Sequence, residues 1–140
     1  MRLPVVDDLQ WLAMTVWQEA AAEPFEGKLA VAYTVVTRSS LSQQSISDTV
    51  LKPLQYSAWN SDSPTKMRLD ELDPSSAAWQ DSYKATCAAV FRFLPDPTNG
   101  ADHYLNEELT RKIRGGSLPG WFEEIRVTAR IGRHTFLKLN

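Results

Sequence analysis

The chain has 140 residues, 43% of them hydrophobic and 23% charged, which is ordinary globular composition, and a domain of that length buries roughly two-thirds of its unfolded surface. A formal net charge of -2 removes any strong electrostatic case for nucleic acid or an anionic lipid surface as partner, and no stretch approaches the roughly 18 apolar residues of a membrane span. The single cysteine, Cys87, excludes an internal disulfide and a zinc site built on thiolates.

In chain order, Met1 to Asp8 lacks the basic start and apolar run of a secretory signal. If the target lies outside the cell, a separate export route is then expected. Asp7 or Asp8 caps a first helix carrying Leu9, Leu12, Ala13, Val16, Trp17 and Ala20 at helical spacing. That helix ends near Ala21 or Ala22, because Pro24 disfavours helical geometry at Glu23. Pro24 opens a second helix from its first turn, with Leu29, Ala32, Tyr33 and Val36 on the buried face and an exit at Ser39–Ser40. A short helix follows over Ile46 to Leu51, capped by Ser45 or Ser47.

From Lys52 to Asp73 the chain is rich in Pro, Ser, Asp and Asn and reads as a long loop, a type of segment that is often functional. Asp73-Pro74 supplies a cap and a first-turn proline for the helix expected to be longest, with Trp79, Tyr83, Thr86 or Cys87, Val90, Phe91 and Leu94 on its face. The turn Pro95 to Gly100 ends it. Ile125, Val127, Ala129 and Ile131 then alternate, and Gly132-Arg133 turns the chain into Thr135-Phe136-Leu137, a C-terminal hairpin. There is no repeat, low-complexity tract or linker, so one catalytic domain over 1–140 and a monomer are expected.

Glu19 stands at the end of the first helix among apolar and aromatic neighbours. A carboxyl partly desolvated there has its pKa raised, as a general acid requires. Position alone more often means a surface glutamate than a catalyst. Likewise His103, Tyr104 and Asn106 fit either a groove wall or a strand whose polar groups merely satisfy backbone. Trp59 fits a sugar platform or a loop anchor, and Trp121 is balanced in the same way. His134 reads as structural. The basic residues gathered toward the C-terminus, among them Arg126, Arg130, Arg133 and Lys138, read as a solvated face.

Four ordered segments sharpen this picture. Trp17-Gln18-Glu19-Ala20-Ala21-Ala22-Glu23-Pro24-Phe25-Glu26-Gly27 resembles the opening motif of the cell-wall hydrolase family typified by spore-cortex-lytic enzymes. Gln55-Tyr56-Ser57-Ala58-Trp59-Asn60, Asp96 to Asn106, and Ile131-Gly132-Arg133-His134-Thr135-Phe136 are similar to its later segments, in the same order. The resemblance implies an α+β, mainly helical, lysozyme-like fold and cleavage of the bond between N-acetylmuramic acid and N-acetylglucosamine in peptidoglycan. It carries the catalytic acid onto Glu19 and substrate binding onto Glu23, Gln55, Trp59, His103, Tyr104 and Asn106, with no metal or other cofactor; Trp121, after Pro119-Gly120 and outside those segments, is a further candidate for substrate binding. The sequence departs from the family pattern at Trp17-Gln18, where Tyr-Gly is usual, and at Ala21-Ala22, where Arg-Gly is usual. Those changes alter the wall beside the carboxylates.

Many glycosidases pair two carboxylates across the bond. The resemblance implies a single acid/base instead, as in lytic transglycosylases; were Glu23 or Glu26 to place a water, the product would be that of a lysozyme. Three other readings stay open. A zinc amidase or peptidase would use His103, Asp102 and His134, although no His-Glu-x-x-His pattern is present. A cysteine peptidase would use Cys87, and a non-catalytic wall-binding module would keep only the aromatics. In biological role, the expected protein is a phage endolysin, made in the host cytoplasm and acting on the cell wall after release, with a bacterial germination or remodelling enzyme as the alternative.

Overall fold

The computed structural model describes residues 5–52 and 71–140, so Gln55, Trp59 and most of the expected loop lie outside the described residues. Helix α1 (Val6–Ala20) is capped at Val5 and so starts before either Asp7 or Asp8 could cap it. Asp8, inside the first turn, reaches back to the Val5 N–H at 3.0 Å, the returning half of a capping box. Its other oxygen accepts the Ser47 N–H at 2.9 Å and the Ser47 hydroxyl at 2.5 Å. One buried carboxylate therefore fixes the start of α1 against α3 (Ile46–Leu51), whose cap is Ser45, accepting the Asp48 N–H at 3.0 Å.

Helix α2 (Phe25–Ser42) is the longest described element. Every residue from Gly27 to Val35 is buried, where the sequence pattern offered a single face. A helix dry on all sides is a core helix, and α2 touches α1, α3, α4 and the sheet. Gly27, Ala30 and Ala32 are small enough for those neighbours to close in. The helix continues past Ser39–Ser40 and stops where Gln43 turns left-handed (φ 56°), with the Gln44 N–H on the Ser39 carbonyl at 3.2 Å.

Helix α4 (Ala77–Val90) departs from its expected limits at both ends. Ser76, not Asp73, is the cap, accepting the Trp79 N–H at 3.2 Å. Asp73 instead folds a turn by accepting the Ser75 N–H and hydroxyl. Its buried face is Ser82, Ala85, Thr86, Ala88 and Ala89, set against α1 and α2. The small side chains win that face because they let helix axes approach. After Val90 the backbone leaves the helix, with Arg92 at φ 56°, and Phe91, Phe93 and Leu94 are exposed.

Beyond the turn at residues 95–100 lies strand β1 (His103–Leu105), then α5 (Glu107–Ile113), a 3-10 turn (Glu124–Arg126), β2 (Val127–Ile131) and β3 (His134–Leu137). The expected hairpin is present as β2–β3, turned at Gly132 (φ 58°). It gains a third strand, for the antiparallel order is β1-β3-β2, with Tyr104 opposite Phe136 and Ile131 opposite His134. Ile125 lies outside the strand and is exposed. The result is a mainly helical α+β fold: five helices and one small sheet among the described residues.

Candidate active site

Glu19 sits in the last turn of α1, next to buried Ala20 and one turn after buried Val16. Burial pushes its carboxyl from the ordinary 4.5 up to about 7, partly opposed by a hydrogen bond from the Tyr104 hydroxyl. At neutral pH such a group holds its proton about half the time, which is what a proton donor working there needs. The Tyr104 ring is fixed by the sheet: it stands edge-on to His134 at 5.2 Å and tilts against Phe136 at 5.9 Å. Strand β1 thus aims a phenol at the end of a helix far away in sequence.

The corner after Glu19 is tightly made. The Glu23 N–H closes on the Ala20 carbonyl at 3.0 Å. The buried Lys28 ammonium donates to the Ala21 carbonyl at 3.1 Å and to the Glu23 carbonyl. Glu23 turns its own carboxylate toward the hairpin, accepting the Arg133 N–H at 2.9 Å with Oε1, which lies 3.3 Å from His134 Nδ1. Burial lowers the His134 pKa, with the Glu23 charge pulling the other way. The carboxylate of Glu23, a residue expected to bind substrate, lies at the α1–α2 corner against the β2–β3 turn. Glu26 is exposed.

Among the other expected site residues, His103 and Trp121 come together, their rings 5.3 Å apart and tilted by 52°. His103 is oriented from behind by Asp102, with Nδ1 2.9 Å from Oδ1. Adjacent residues of a strand leave opposite faces, so His103 and Tyr104 address different sides of edge strand β1. Asn106 was also expected to contact substrate. Its side-chain oxygen caps α5, accepting the Leu109 N–H at 3.0 Å.

Asp102 is wholly buried. Burial alone would raise its pKa, but donors outweigh that and hold it below the usual value: the Leu139 N–H, His103, and the side chain and N–H of Asn140. The carboxylate is filled, leaving no edge for a metal. Among the described residues, no group of three or more His, Cys, Asp and Glu is placed to hold one. Cys87 lies half-buried on α4, and burial raises its thiol pKa. That is the opposite of what an attacking thiolate requires.

Sequence reasoning missed the fixed roles of Asp102 and Glu23. A second ionic cluster, also unread in the sequence, joins α5 to the sheet: Glu107 accepts from the Thr135 hydroxyl and from Arg130 at 3.2 Å, while Arg130 also binds Glu124 at 2.8 Å. Arg130 is therefore an exposed fastener, within the cationic face the sequence offered.

The chain is similar to two spore cortex-lytic enzymes. One, from Halalkalibacterium halodurans, is 28% identical over 132 residues, 93% of this chain and 34% of that protein. The other, from Oceanobacillus iheyensis, is 26% identical over 134 residues, 94% of this chain and 42% of that protein. The chain thus spans well under half the length of these relatives. Its fold matches the catalytic domain of the Bacillus cereus SleB protein, with a TM-score of 0.72 at 23% identity, covering 99% of this chain and 94% of that one. It also matches the catalytic domain of the germination-specific lytic transglycosylase SleB from Bacillus anthracis, with a TM-score of 0.67 at 22% identity, covering 96% of each. The Cell Wall Hydrolase family model matches residues 22–137, starting just after Glu19. By that match over most of its length, the chain belongs to the Cell Wall Hydrolase family.

Proposed function

We propose that the protein cleaves the β-1,4 bond between N-acetylmuramic acid and N-acetylglucosamine in peptidoglycan, with Glu19 as the single acid/base. The observation that carries this reading is the half-buried Glu19 carboxyl at a helix end, whose pKa burial raises to about 7. The names of the relatives, spore cortex-lytic enzymes and a lytic transglycosylase, agree with it.

In the first step Glu19 gives its proton to the glycosidic oxygen, the bond to C1 of the muramic acid breaks, and the N-acetylglucosamine end leaves as an alcohol. The charge at C1 is then met from within the sugar. Glu19, now a carboxylate, takes the proton of the 6-hydroxyl, and that oxygen closes on C1 to give a 1,6-anhydro end. Glu19 finishes protonated, so the cycle closes without a second carboxylate. Glu23 holds Arg133 and faces His134, and Glu26 is exposed, which favours the lone-acid route over one with a positioned water.

Glu19→Gln removes the proton while keeping the shape. Its lytic rate on purified cell-wall glycan is expected to fall by roughly 10²- to 10⁴-fold, the usual contribution of a general acid. Mass spectrometry of the wild-type digest is expected to give ends one water lighter than a reducing sugar. A Glu19→Gln protein that clears wall suspensions at the wild-type rate would overturn the assignment. Reducing ends only would keep Glu19 as the acid and replace the internal hydroxyl with water. The role of phage lysin rests on the sequence reading, and its test is cell lysis by cytoplasmic protein only after the inner membrane is opened.

A further inference from the structure

Glu23 spends its carboxylate inside the protein. Its side chain is 9% exposed and that of His134 is 8% exposed. Oε1 holds the Arg133 N–H at 2.9 Å across 110 residues of sequence. Oε2 lies where a side chain at position 132 would begin: a Cβ built on Gly132 would stand 2.4 Å from it. Gly132 also has φ 58°, so the turn needs glycine for its backbone and again for the carboxylate lodged against it. On the other side, a Cβ on Gly27 would stand 3.0 Å from the Cβ of Glu23. Two glycines clear the path of one acid.

The clamp lies close to the proposed chemistry. Glu23 is one helical turn after Glu19 in sequence, and its N–H ends α1 on the Ala20 carbonyl. His134, against Glu23 Oε1, carries the Tyr104 ring edge-on, and the Tyr104 hydroxyl meets Glu19. The path Glu23–His134–Tyr104–Glu19 closes a ring around the helix end. Resting on the proposed role of Glu19, we propose that Glu23 is a positioning residue: its carboxylate clamps the β2–β3 turn to the α1–α2 corner and so keeps Tyr104 against Glu19. The charged or titratable groups around it are the Lys28 ammonium on its carbonyl and the His134 ring on its carboxylate; Arg133 contributes its backbone N–H.

The test compares Glu23→Ala, Glu23→Gln and Gly132→Ala in the purified chain, at a temperature below each melting point. Glu23→Ala is expected to lower kcat on the order of 10²-fold, the cost of a small misplacement at a reacting centre, with KM little changed. The alkaline limb of its pH–rate profile should move down from about 7 toward 4.5 as water reaches Glu19. Glu23→Gln keeps an oxygen for the Arg133 N–H and is expected to restore most of the rate. If Glu23→Ala does not fold, Gly132→Ala decides, since its Cβ displaces Oε2 while leaving the carboxylate in the chain.

A folded Glu23→Ala with wild-type kcat and an unmoved limb would overturn the proposal. A loss confined to KM would do the same, making Glu23 a substrate contact. Glu19→Gln, measured alongside, separates this proposal from the one it rests on. If Glu19→Gln stays active, the acid assignment falls; if it is dead while Glu23→Ala behaves as wild type, only the clamp falls.

Discussion

Glu19 is half-buried and Asp102 wholly buried near strand β1, and their surroundings drive them in opposite directions. Glu19 meets one hydroxyl, so burial dominates and its pKa rises to about 7. Asp102 meets two backbone N–H groups, an amide and an imidazole, and its pKa falls. Burial without donors makes an acid that keeps its proton at neutral pH, and burial with donors makes a permanent anion that fastens structure. The same side-chain chemistry thus gives a group that can hold a proton at one place and a rivet at the other.

The largest effect that would sharpen this contrast lies in stability against pH. A carboxyl raised from 4.5 to about 7 in the folded state binds more protons there than in the unfolded chain between those values. Stability must then fall as pH rises through that window, by on the order of 3 kcal/mol in all. Glu19→Gln escapes the penalty. It is expected to match wild type near pH 4.5 and to exceed it by about 3 kcal/mol at pH 8 in chemical denaturation. Parallel curves for the two proteins would mean that Glu19 is well solvated, and the contrast with Asp102 would collapse.

Asp102 should behave in the opposite sense. Its pKa is lowered, so its stabilisation is present above the unfolded value of 3.8 and is lost as pH falls through the lower folded value. Asp102→Ala strands the Leu139 N–H and frees His103, at an expected cost of about 2 kcal/mol at pH 7. Asn140 is exposed and can turn to water, which limits the loss. The difference from wild type should shrink below pH 3.8 in the same denaturation series. A cost that persists unchanged at low pH would mean the carboxylate acts by shape and not by charge.

The sequence carried much of this architecture and little of the contrast within it. Helices α1, α2 and α3 were legible because the Glu-Pro corner and apolar spacing agree; of the expected caps only Ser45 of α3 holds, since α1 is capped at Val5 and Pro24 is the cap of α2. The β2–β3 hairpin was legible from alternation around Gly132. Helix α5 was not, because it buries no residue and so shows no apolar period. Its signals were electrostatic: the Asn106 cap, Glu107 and Glu108 in the first turn, Arg111 and Lys112 in the last. The face of α4 was misread since aromatic spacing outshone the alanine stripe that packs. The ordered motifs pointed to Glu19, but partners such as Tyr104 for Glu19 and Arg133 for Glu23 are long-range, and no local pattern encodes them. Glycines 27 and 132 were the one trace of the Glu23 clamp in the sequence.

The smallest expected effect concerns the outer side of β1. Asp102 sets the His103 ring, and that ring braces Trp121, which is 39% exposed. A tryptophan held at a fixed tilt but open to water offers a flat apolar face without paying much to be ordered. If sugar rings pass there, Trp121→Ala should weaken glycan binding by about 1 kcal/mol, roughly a fivefold rise in KM, with kcat nearly unchanged. His103→Ala removes the brace and should act in the same direction. Because the two rings work as one unit, the double variant should cost less than the sum of the singles. Additive losses would mean two separate contacts, and no loss would take Trp121 out of the groove. Either result would leave Glu19 where it is. On the proposed reading, the chemistry would depend on what surrounds one carboxyl, and the grip on substrate on what Asp102 holds still.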